Sequence, residues 1–453
     1  MYRSSENSLN QWRSRPSRKP LVIRGARQVG KTHLVRMFAK VAFSDLIEIN
    51  FDKTPEKKAL FRSGEVHKIV QLLSVDSGKK ITPGETLIFL DEIQAAPEIF
   101  AKLRYFYEDL PELHIIAAGS LLEFMLAEHE FSMPVGRIEY MYLGPMNFRE
   151  YLHARGESML TEYLGKVEIQ EDIPNSLHEK CMAYIREFFI VGGMPAAVRA
   201  YAENQDLDLV HREHQSVHQS YQDDFSKYGN KVNIPRLQKV YRALPLLIAK
   251  KMKYTALDPD ERSKDLAQCL DHLEKARIMT KVVHSSCNGV PLSAERNDKV
   301  YKPIFLDIGL LSASLGLKLT ELYLCQNLTL IHSGMLCEQF VGQHLMYAKA
   351  DYCEPELHYW NREKKSSSAE VDFVISDGDR IVPVEVKAGK TGRLRSLTQM
   401  ITEKDSPLAV RFNSEPPSLG PFGLETKSCR LISLPFYLVG ELDRLFKTNL
   451  VSD

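Results

Sequence analysis

The sequence has few features of a crosslinked or membrane-spanning protein. Its 453 residues include only seven cysteines, an odd number with no C-x-x-C pair, which argues against a disulfide framework or a zinc ribbon. No apolar run approaches the roughly 20 residues that a membrane-spanning helix needs. An excess of one charge is also missing, because 59 Lys and Arg residues balance 59 Asp and Glu residues. We therefore expect a cytoplasmic protein with no membrane contact, in which any nucleic-acid-binding surface is local.

The composition that remains is that of an ordinary globular protein, with 44% apolar and 26% charged residues. At roughly 100 to 200 residues per domain, the length predicts two to four domains, each with its own core. The basic N-terminal segment has three interpretations: a transit-peptide-like leader, an exposed lead-in to the first strand, or a patch that faces phosphate or nucleic acid. Its basic residues are Arg3, Arg13, Arg15, Arg18 and Lys19.

Strands and helices alternate over the first 120 residues. The pattern predicts a strand over 20–24, a helix over 32–41 and a second strand over 46–50. Two further predicted strands, 86–91 and 113–119, are almost wholly apolar, which is typical of a parallel sheet covered on both faces. The fold class is therefore α/β.

A glycine-rich loop of the form G-x-x-x-x-G-K-[ST] lies between the first strand and the first helix. In such a loop the backbone amides surround phosphate groups, Lys31 reaches the β and γ oxygens, and the Thr32 hydroxyl binds Mg²⁺. This position between a buried strand and a helix is the one that the chemistry requires. The predicted nucleotide-binding residues are Gly25, Ala26, Arg27, Gln28, Val29, Gly30, Lys31, Thr32 and the adjacent His33.

Four further side chains are predicted to complete a site for phosphoryl transfer. Asp91, at the end of an apolar strand, is a second Mg²⁺ ligand, and Glu92 is the general base that polarises the attacking water. Ser120, which follows the strand 113–119, is a predicted polar sensor of the γ-phosphate. Arg137 follows a glycine turn and either neutralises transition-state charge, in its own or a neighbouring subunit, or forms a surface salt bridge.

These motifs resemble those of the AAA+ class of P-loop ATPases, in the prokaryotic branch related to STAND proteins. The resemblance covers about residues 18–225 and is carried by LVIRGARQVGKT, IFLDEIQ, AGS, PVGR and GGMP. It implies ATP and Mg²⁺ as cofactors, a parallel five-stranded core, a helical lid, a winged helix, and contact between Pro195 and adenine. Ser120 departs from the family, because many members carry Asn at the sensor position.

A second group of charged side chains lies on a predicted hairpin formed by 371–375 and 380–388. With its turn centred on residues 377 and 378, the hairpin places Asp372 opposite Pro383 and Glu370 opposite Glu385. Alternation then gathers the acids and Lys387 on one face. Either Mg²⁺ offsets their repulsion while Lys387 orients a nucleophilic water, or the face is solvated and its Glu and Lys side chains pair. The predicted apolar face behind them consists of Val371, Phe373, Val384 and Val386.

The spacing Asp-x12-Glu-x-Lys, preceded by a helix that bears Glu338, resembles the PD-(D/E)XK nuclease superfamily. Residues from about 330 to 453 resemble the C-terminal domain of unknown function that is often fused to this type of ATPase. The resemblance implies a restriction-endonuclease-like α/β domain, with Asp372, Glu385 and Glu338 at a second metal and Lys387 as the water-orienting residue. The neighbouring basic residues either contact a phosphate backbone or belong to a solvated loop. They are Lys387, Lys390, Arg393 and Arg395.

Four units are predicted from these observations: a P-loop ATPase core, a helical lid, a winged-helix-like domain with a linker, and a nuclease-like domain. Their bounds are 1–145, 146–225, 226–329 and 330–453. Three functions are compatible with them. The first is an ATP-driven DNA-processing protein whose nucleotide state controls the nuclease-like domain. The second is an ATP-dependent switch whose C-terminal domain binds a protein or nucleic acid without cleavage, and the third is a scaffold with a purely structural nucleotide. A homo-oligomer is compatible with each.

Overall fold

The computed structural model describes residues 1–128, 133–228, 232–317, 333–362, 369–389, 394–422 and 429–450. These residues form an N-terminal parallel sheet with flanking helices, a helical middle region, and a second, larger sheet. None of the described helices is long and apolar enough to span a bilayer.

The N-terminal region alternates strands and helices as predicted. Its elements are α1 (Ser5–Ser14), β1 (Leu21–Arg24), α2 (Lys31–Ala42), β2 (Asp45–Asn50), α3 (Val66–Ser77), β3 (Thr86–Asp91), α4 (Pro97–Asp109), β4 (His114–Gly119), α5 (Leu122–Glu128) and β5 (Glu139–Tyr142), with 3₁₀ turns at Pro55–Phe61 and Ile93–Ala95. The strands form one parallel sheet in the order β2-β3-β4-β1-β5, which confirms the α/β class. β3 and β4 are buried along their whole length, which explains their continuous apolar sequences.

The register of this sheet brings the ends of three strands to one edge. Arg24, the last residue of β1, pairs with Gly119 at the end of β4, and Asp91 at the end of β3 pairs with Ala118. The glycine-rich loop, the Asp91-Glu92 pair and Ser120 therefore emerge side by side. Ligands of open parallel sheets bind at this carboxyl edge.

A helical region follows the first sheet. It contains α6 (Phe148–Ala154), α7 (Ser158–Leu164), α8 (Asn175–Val191), α9 (Pro195–Asn204) and α10 (Leu207–Asp224), and a 3₁₀ turn at Phe225–Lys227. The start of α6 is fixed by a capping box in which the Asn147 side chain accepts from the Glu150 amide and the Glu150 carboxylate accepts from the Asn147 amide. α9 begins at Pro195, two residues after Gly193, because proline fits the first turn of a helix.

The third region has helices followed by an antiparallel hairpin, and its assignment as a winged helix stays a prediction. Its elements are α11 (Ile234–Ala243), α12 (Tyr254–Leu257), α13 (Ser263–Lys275), β6 (Met279–Ser285), β7 (Arg296–Phe305) and α14 (Ile308–Ser314), with 3₁₀ turns at Leu244–Leu247 and Leu292–Glu295. The sequence predicts a connecting stretch that includes Tyr301–Leu311, whereas the structure has the end of β7 and α14 there. The Asp307 side chain starts α14 by accepting a hydrogen bond from the Leu310 amide at 3.1 Å.

The last region adds further strands to this hairpin. It contains α15 (Ser333–Met346), β8 (Leu357–Asn361), β9 (Glu370–Asp377), β10 (Arg380–Val386), α16 (Arg395–Lys404), β11 (Leu408–Asn413), β12 (Ser418–Phe422), β13 (Cys429–Pro435) and α17 (Leu442–Leu450), with a 3₁₀ turn at Phe436–Glu441. β6 pairs in parallel with β8, so that one eight-stranded sheet forms in the order β12-β13-β11-β10-β9-β8-β6-β7. The predicted division at residue 329/330 therefore separates strands of one sheet.

The hairpin of β9 and β10 differs from the predicted register by two residues. Asp377 pairs with Arg380 and Phe373 with Val384, so the two-residue turn is Gly378-Asp379 and not Asp377-Gly378. Pro383 consequently lies opposite Val374 and not opposite Asp372. A shift of two residues keeps each side chain on its face, because alternation along a strand has a period of two.

A second difference lies in the apolar side of β9. An irregularity in its pairing with β8, where His358 pairs with Val374 but Trp360 with Val371, breaks the alternation. Val371 and Phe373 were predicted to pack together, yet Val371 belongs to the small core beside α16 and Phe373 to the main core beneath α15. The irregularity sends these two side chains to opposite faces of the sheet.

One hydrophobic core runs through all four predicted units, which were expected to have separate cores. It includes Leu34 of α2, Phe188 of α8, Leu270 of α13 and Phe340 of α15. A second core covers the other face of the N-terminal sheet, and a third lies between α16 and the C-terminal sheet. The regions are therefore packed as one body.

Candidate functional site

The glycine-rich loop has the conformation that its sequence predicts. Gly30 has a φ of +95° directly before α2, and a side chain on Gly25 would place its Cβ 2.2 Å from the backbone oxygen of Leu143. The buried Lys31 side chain donates hydrogen bonds to the carbonyls of Gly25 and Ala26 at 2.9 and 2.8 Å. Burial lowers the pKa of Lys31 to about 8. Its ammonium thus lies inside the loop at the N-terminus of a helix.

Thr32 and Asp91 lie together beside this loop. The Thr32 hydroxyl is 3.2 and 3.1 Å from the two carboxylate oxygens of Asp91, which is almost fully buried. The Asn50 side-chain amide donates to Asp91 Oδ2 at 2.9 Å, so Asn50 orients the carboxylate. Burial, and then the charge of Glu92, raise the pKa of Asp91. Two hard oxygen groups therefore converge at the carboxyl edge of the sheet.

Glu92 is positioned by a strained backbone and a neighbouring amide. It has a φ of +51°, and its carboxylate accepts a hydrogen bond of 2.6 Å from Gln94 Nε2. The Gln94 side chain also fills the space beside Gly119, where a Cβ would lie 2.1 Å from Gln94 Oε1. Ser120 follows Gly119 and is buried. Glu92 follows Asp91 directly, and Ser120 follows β4, whose Ala118 pairs with Asp91. Their roles in hydrolysis stay predictions.

Arg137 is the predicted site residue that lies apart from this group. Its Nε is 2.8 Å from Glu108 Oε1 on the exposed side of α4. Within one chain, the arrangement is that of a surface salt bridge, which was one of its two interpretations. A role toward the nucleotide of a neighbouring subunit stays a prediction.

Two further predicted binding residues lie beside the loop, Pro195 at the start of α9 and His33 in the first turn of α2. A Cβ on Gly30 would lie 3.5 Å from Pro195 Cγ, so the proline packs against the loop. His33 is exposed, and partial burial followed by nearby positive charges, including Arg199, lowers its pKa. Contact of either residue with adenine stays a prediction.

In the C-terminal sheet, the predicted acids do converge. Burial raises the pKa values of Glu338, Asp372 and Glu385. The Lys387 ammonium lies 2.6 Å from Glu385 Oε1, and the Val386 amide donates to Asp372 Oδ2 at 2.8 Å. Of the basic residues beyond Lys387, Arg395 begins α16, whereas Lys390 and Arg393 lie outside the described residues.

A lysine that the sequence analysis did not identify lies among these acids. Lys302 of β7 has no exposed surface, and its Nζ is 2.5 Å from Glu338 Oε1, 3.2 Å from Glu370 Oε1 and 3.9 Å from Asp372 Oδ1. We call Lys302, Glu338, Glu370, Asp372, Glu385 and Lys387 the C-terminal charge cluster.

Three family matches divide the chain. Residues 17–152 match the family described as AAA domain. This region is a P-loop ATPase domain of the AAA type. Residues 182–321 and 333–415 match two domains of unknown function, DUF8612 and DUF4143. The second match crosses the predicted boundary at 225/226, and no curated protein matches the chain.

Solved structures show likeness at low identity. The Walker-type ATPase PABY2304 of Pyrococcus abyssi is 17% identical, with 69% of this chain and 94% of that chain covered and a TM-score of 0.42. The ORC2 protein of Aeropyrum pernix is 13% identical, with coverages of 70% and 90% and a TM-score of 0.36. The STAND protein PH0952 of Pyrococcus horikoshii is 12% identical, with coverages of 76% and 45% and a TM-score of 0.25. At these TM-scores the likenesses carry no functional argument.

The ATPase domain has the protein ligands that a nucleotide-bound Mg²⁺ needs. Such an ion takes one or two oxygen ligands from the protein, and the rest of its octahedral shell comes from water and phosphate. The adjacent hydroxyl of Thr32 and carboxylate of Asp91 fit this requirement.

The C-terminal charge cluster does not fit the second metal that the sequence predicted. Among the residues that the structure describes, no group of three or more His, Cys, Asp or Glu side chains is arranged to hold a metal ion. The Lys302 ammonium lies between Glu338 and Glu370, so the cation that the acids require is already supplied by the chain. The assignment of Asp372, Glu385 and Glu338 as metal ligands is therefore not supported by this arrangement.

Several residues that support the ATPase domain come from distant parts of the sequence. The Arg3 guanidinium donates to the carbonyls of Val29 at 3.0 Å and Gly144 at 2.7 Å, and it pairs with Glu150. From α10, Asp224 pairs with Arg27, and the Tyr221 hydroxyl donates to the Arg27 carbonyl at 2.8 Å. No local spacing could reveal these contacts. The basic N-terminal segment is thus neither free nor wholly exposed, because Arg3 is buried against the loop.

Proposed function

We propose that the chain is an ATP-hydrolysing switch in which the nucleotide state of the ATPase domain is transmitted through α15 to a C-terminal sheet that binds DNA or a protein partner. The ATPase domain supports the first part of this proposal. The buried hydrogen bonds that link Gly193, two residues before Pro195, to α15 through Asp307 carry the second part.

The residues of the ATPase domain have complementary roles in hydrolysis. Backbone amides of residues 25–32 and the Lys31 ammonium bind the phosphates, and a Mg²⁺ held by Thr32 and Asp91 would neutralise phosphate charge. Glu92 orients the attacking water and takes its proton, while Ser120 donates to the γ-phosphate. The hydrogen bond from Gln94 holds Glu92 at this edge of the sheet.

The connection to the C-terminal sheet begins beside the glycine-rich loop. Gly193, two residues before Pro195, donates its amide proton to Asp307 Oδ2 at 2.6 Å. The same oxygen accepts from Gln343 Nε2 of α15 at 3.2 Å. One turn earlier on α15, the Gln339 side chain donates to and accepts from the backbone of Phe305, with both distances 2.7 Å. A movement at Pro195 therefore has a buried polar path to α15.

The same part of α15 contacts the C-terminal charge cluster. Glu338 lies next to Gln339 in the sequence and is the closest of the acids to Lys302. A shift of α15 would consequently change the contacts of Lys302. Coupling of this kind requires an element with two arrangements, and α15 is the proposed element.

Hydrolysis is tested by steady-state ATP turnover of the full chain. We expect Lys31→Ala to abolish turnover and Lys40→Ala, an exposed lysine on the same helix, to leave it unchanged. Equal turnover in the parent chain and Lys31→Ala would contradict the proposed site.

Transmission is tested by hydrogen exchange of residues 333–346 with and without ATP and Mg²⁺. Glu92→Gln should hold ATP without hydrolysing it and show altered exchange in α15, whereas Lys31→Ala should show none. Exchange in α15 that is indifferent to ATP in the Glu92→Gln chain would refute transmission and leave hydrolysis untouched.

A second candidate function is DNA cleavage by the C-terminal sheet under control of the nucleotide. Its support is the convergence of Asp372, Glu385 and Lys387, together with an element order α15-β8-β9-β10-α16-β11 that suits a restriction-endonuclease-like domain. The test is incubation with single-stranded, duplex and branched DNA and with RNA, with and without ATP and Mg²⁺ or Mn²⁺. A specific product that disappears in Asp372→Asn/Glu385→Gln but persists in Asp379→Asn, at the exposed turn, supports cleavage. Failure to cut any of them favours the switch.

A further inference from the structure

The C-terminal charge cluster contains more acids than bases. Four carboxylates, from Glu338, Glu370, Asp372 and Glu385, lie around the ammonium groups of Lys302 and Lys387. Like charges held this closely in a buried site repel one another, so such a group persists only if cations offset them.

The Lys302 side chain is enclosed by acids of the cluster and by two aromatic rings. Its side chain is completely buried, its Nζ contacts Glu338 and Glu370, and the rings of Tyr359 and Phe373 lie 5.1 and 5.7 Å from it. Aromatic faces attract a desolvated ammonium group, so the rings stabilise the lysine in this position. The Lys302 ammonium is thus held by charge and by packing.

One carboxylate oxygen of the cluster has no hydrogen-bond partner among the residues that the structure describes. Glu385 is 4% exposed, and its Oε1 accepts from Lys387, but its Oε2 is buried without a hydrogen bond in the part of the chain that the structure describes. A buried charged oxygen without a partner is costly. Glu385 Oε2 would therefore be available to a cation if Lys302 were replaced by an uncharged residue.

We propose that Lys302 is the resident cation of the C-terminal charge cluster and that it excludes a divalent ion from these carboxylates. A lysine ammonium is a compact point charge, and here it stands among the acids that the nuclease resemblance assigns to a metal. Removal of the ammonium leaves hard oxygen groups that a divalent cation can satisfy. The inference does not depend on ATP hydrolysis, and it argues against metal-dependent cleavage at these carboxylates.

The test is binding of Mn²⁺ to the full chain in the absence of nucleotide. The electron paramagnetic resonance signal of free Mn²⁺ measures how much of the ion is bound. Every chain carries Asp91→Asn so that the ATPase domain does not contribute. We expect no Mn²⁺ bound at the cluster when Lys302 is present, and one Mn²⁺ per chain in Lys302→Met. The affinity of Lys302→Met for Mn²⁺ should be at least about tenfold higher than any affinity of the chain that keeps Lys302. Adding Asp372→Asn and Glu385→Gln to Lys302→Met should remove the bound ion.

Lys302→Arg is the matched control, because it retains a cation in the cluster and should bind no Mn²⁺. Thermal unfolding of each variant with and without Mn²⁺ provides a second readout: Lys302→Met should be destabilised in chelator and recover in Mn²⁺. If Lys302→Met does not fold, Mn²⁺ binding by the chain that keeps Lys302 still tests the proposal. Mn²⁺ bound to that chain and lost in Asp372→Asn/Glu385→Gln overturns the proposal, as does a folded Lys302→Met that binds no Mn²⁺.

Discussion

Asp307, which has no exposed surface, accepts a hydrogen bond from the amide of Gly193 across 114 residues of sequence. Burial raises the pKa of Asp307, and its carboxylate also accepts hydrogen bonds from Leu310 and Gln343. This single side chain therefore joins the helix that begins at Pro195, the start of α14, and α15.

Replacing Asp307 by Asn should destabilise the whole chain. The carboxylate is surrounded by donors, so the amide of an Asn would leave at least one buried donor unpaired, at a cost of about 1–3 kcal/mol. Chemical denaturation measures this change. Asp298→Asn, on the exposed part of β7, should leave the free energy of unfolding nearly unchanged. Equal stability of Asp307→Asn and the parent would show that Asp307 does not join these helices.

Glu92→Gln should separate nucleotide binding from hydrolysis. The substitution removes the proposed general base, whose contribution to such reactions is about 10²- to 10⁴-fold, but leaves Lys31, Thr32 and Asp91 in place. We expect turnover to fall by about this factor while the affinity for a fluorescent ATP analogue stays the same. Glu98→Gln, an exposed acid in the first turn of α4, is the control for charge alone. A loss of binding equal to the loss of turnover would assign Glu92 a structural role.

Asn50→Ala should weaken the affinity of the ATPase domain for Mg²⁺. Asn50 donates to Asp91 Oδ2 at 2.9 Å, and outer residues that orient a metal ligand contribute about 10- to 100-fold to metal affinity or activity. The concentration of Mg²⁺ at half-maximal turnover should rise by about this factor. Asn50→Asp would place two carboxylates side by side, and it should impair turnover more than Asn50→Ala does. An unchanged Mg²⁺ requirement in Asn50→Ala would remove Asn50 from the site.

Mild acid should destabilise the contact between α6 and α15. His344 Nε2 accepts a hydrogen bond of 2.9 Å from the Phe148 amide, and burial lowers the pKa of His344 to about 4. Between this value and the ordinary pKa of about 6.5, the unfolded chain binds the proton and the folded chain does not. The contribution of His344 to the free energy of unfolding is therefore fully present above about pH 6.5. It falls by up to about 1.4 kcal/mol per pH unit as the pH decreases toward 4.

Urea unfolding at several pH values between 7.5 and 5 checks this expectation. His344→Gln should be less stable than the parent at pH 7.5 and should have a shallower decline with acid, whereas His67→Gln, at an exposed position, should behave like the parent. His214, whose pKa burial also lowers to about 4, contributes a similar decline in both chains. Parallel pH profiles for the parent and His344→Gln would contradict the assignment.

The ATPase domain could be predicted because its chemistry is local in sequence. The loop at 25–32 and the strand that ends at Asp91 are each defined by a few adjacent residues, and wholly apolar strands indicate a parallel sheet. The register then brings them together with no further signal. Arg137 shows the limit, because a glycine turn before an arginine does not reveal that Glu108 lies beside it.

The C-terminal charge cluster could be predicted only in part. Alternation correctly gathered Asp372, Glu385 and Lys387, and the two-residue error in register was harmless because it preserves the face. Lys302 gave no signal, since it lies in a strand that reaches the cluster only through the pairing of β6 with β8. Without Lys302, the sequence left a metal ion as the simplest cation for these acids. In the structure, a lysine from another region of the chain supplies that cation.

The pairing of β6 with β8 also determines where this chain can be cut. A fragment that starts at residue 330 keeps β8 but loses its neighbour, leaving the apolar segment Leu357–Asn361 as an open edge that can pair with other molecules. The same cut discards Lys302 and leaves its acids without their counter-charge. An isolated C-terminal fragment of this kind should therefore aggregate, and assays of its activity require β6 and β7 to be kept.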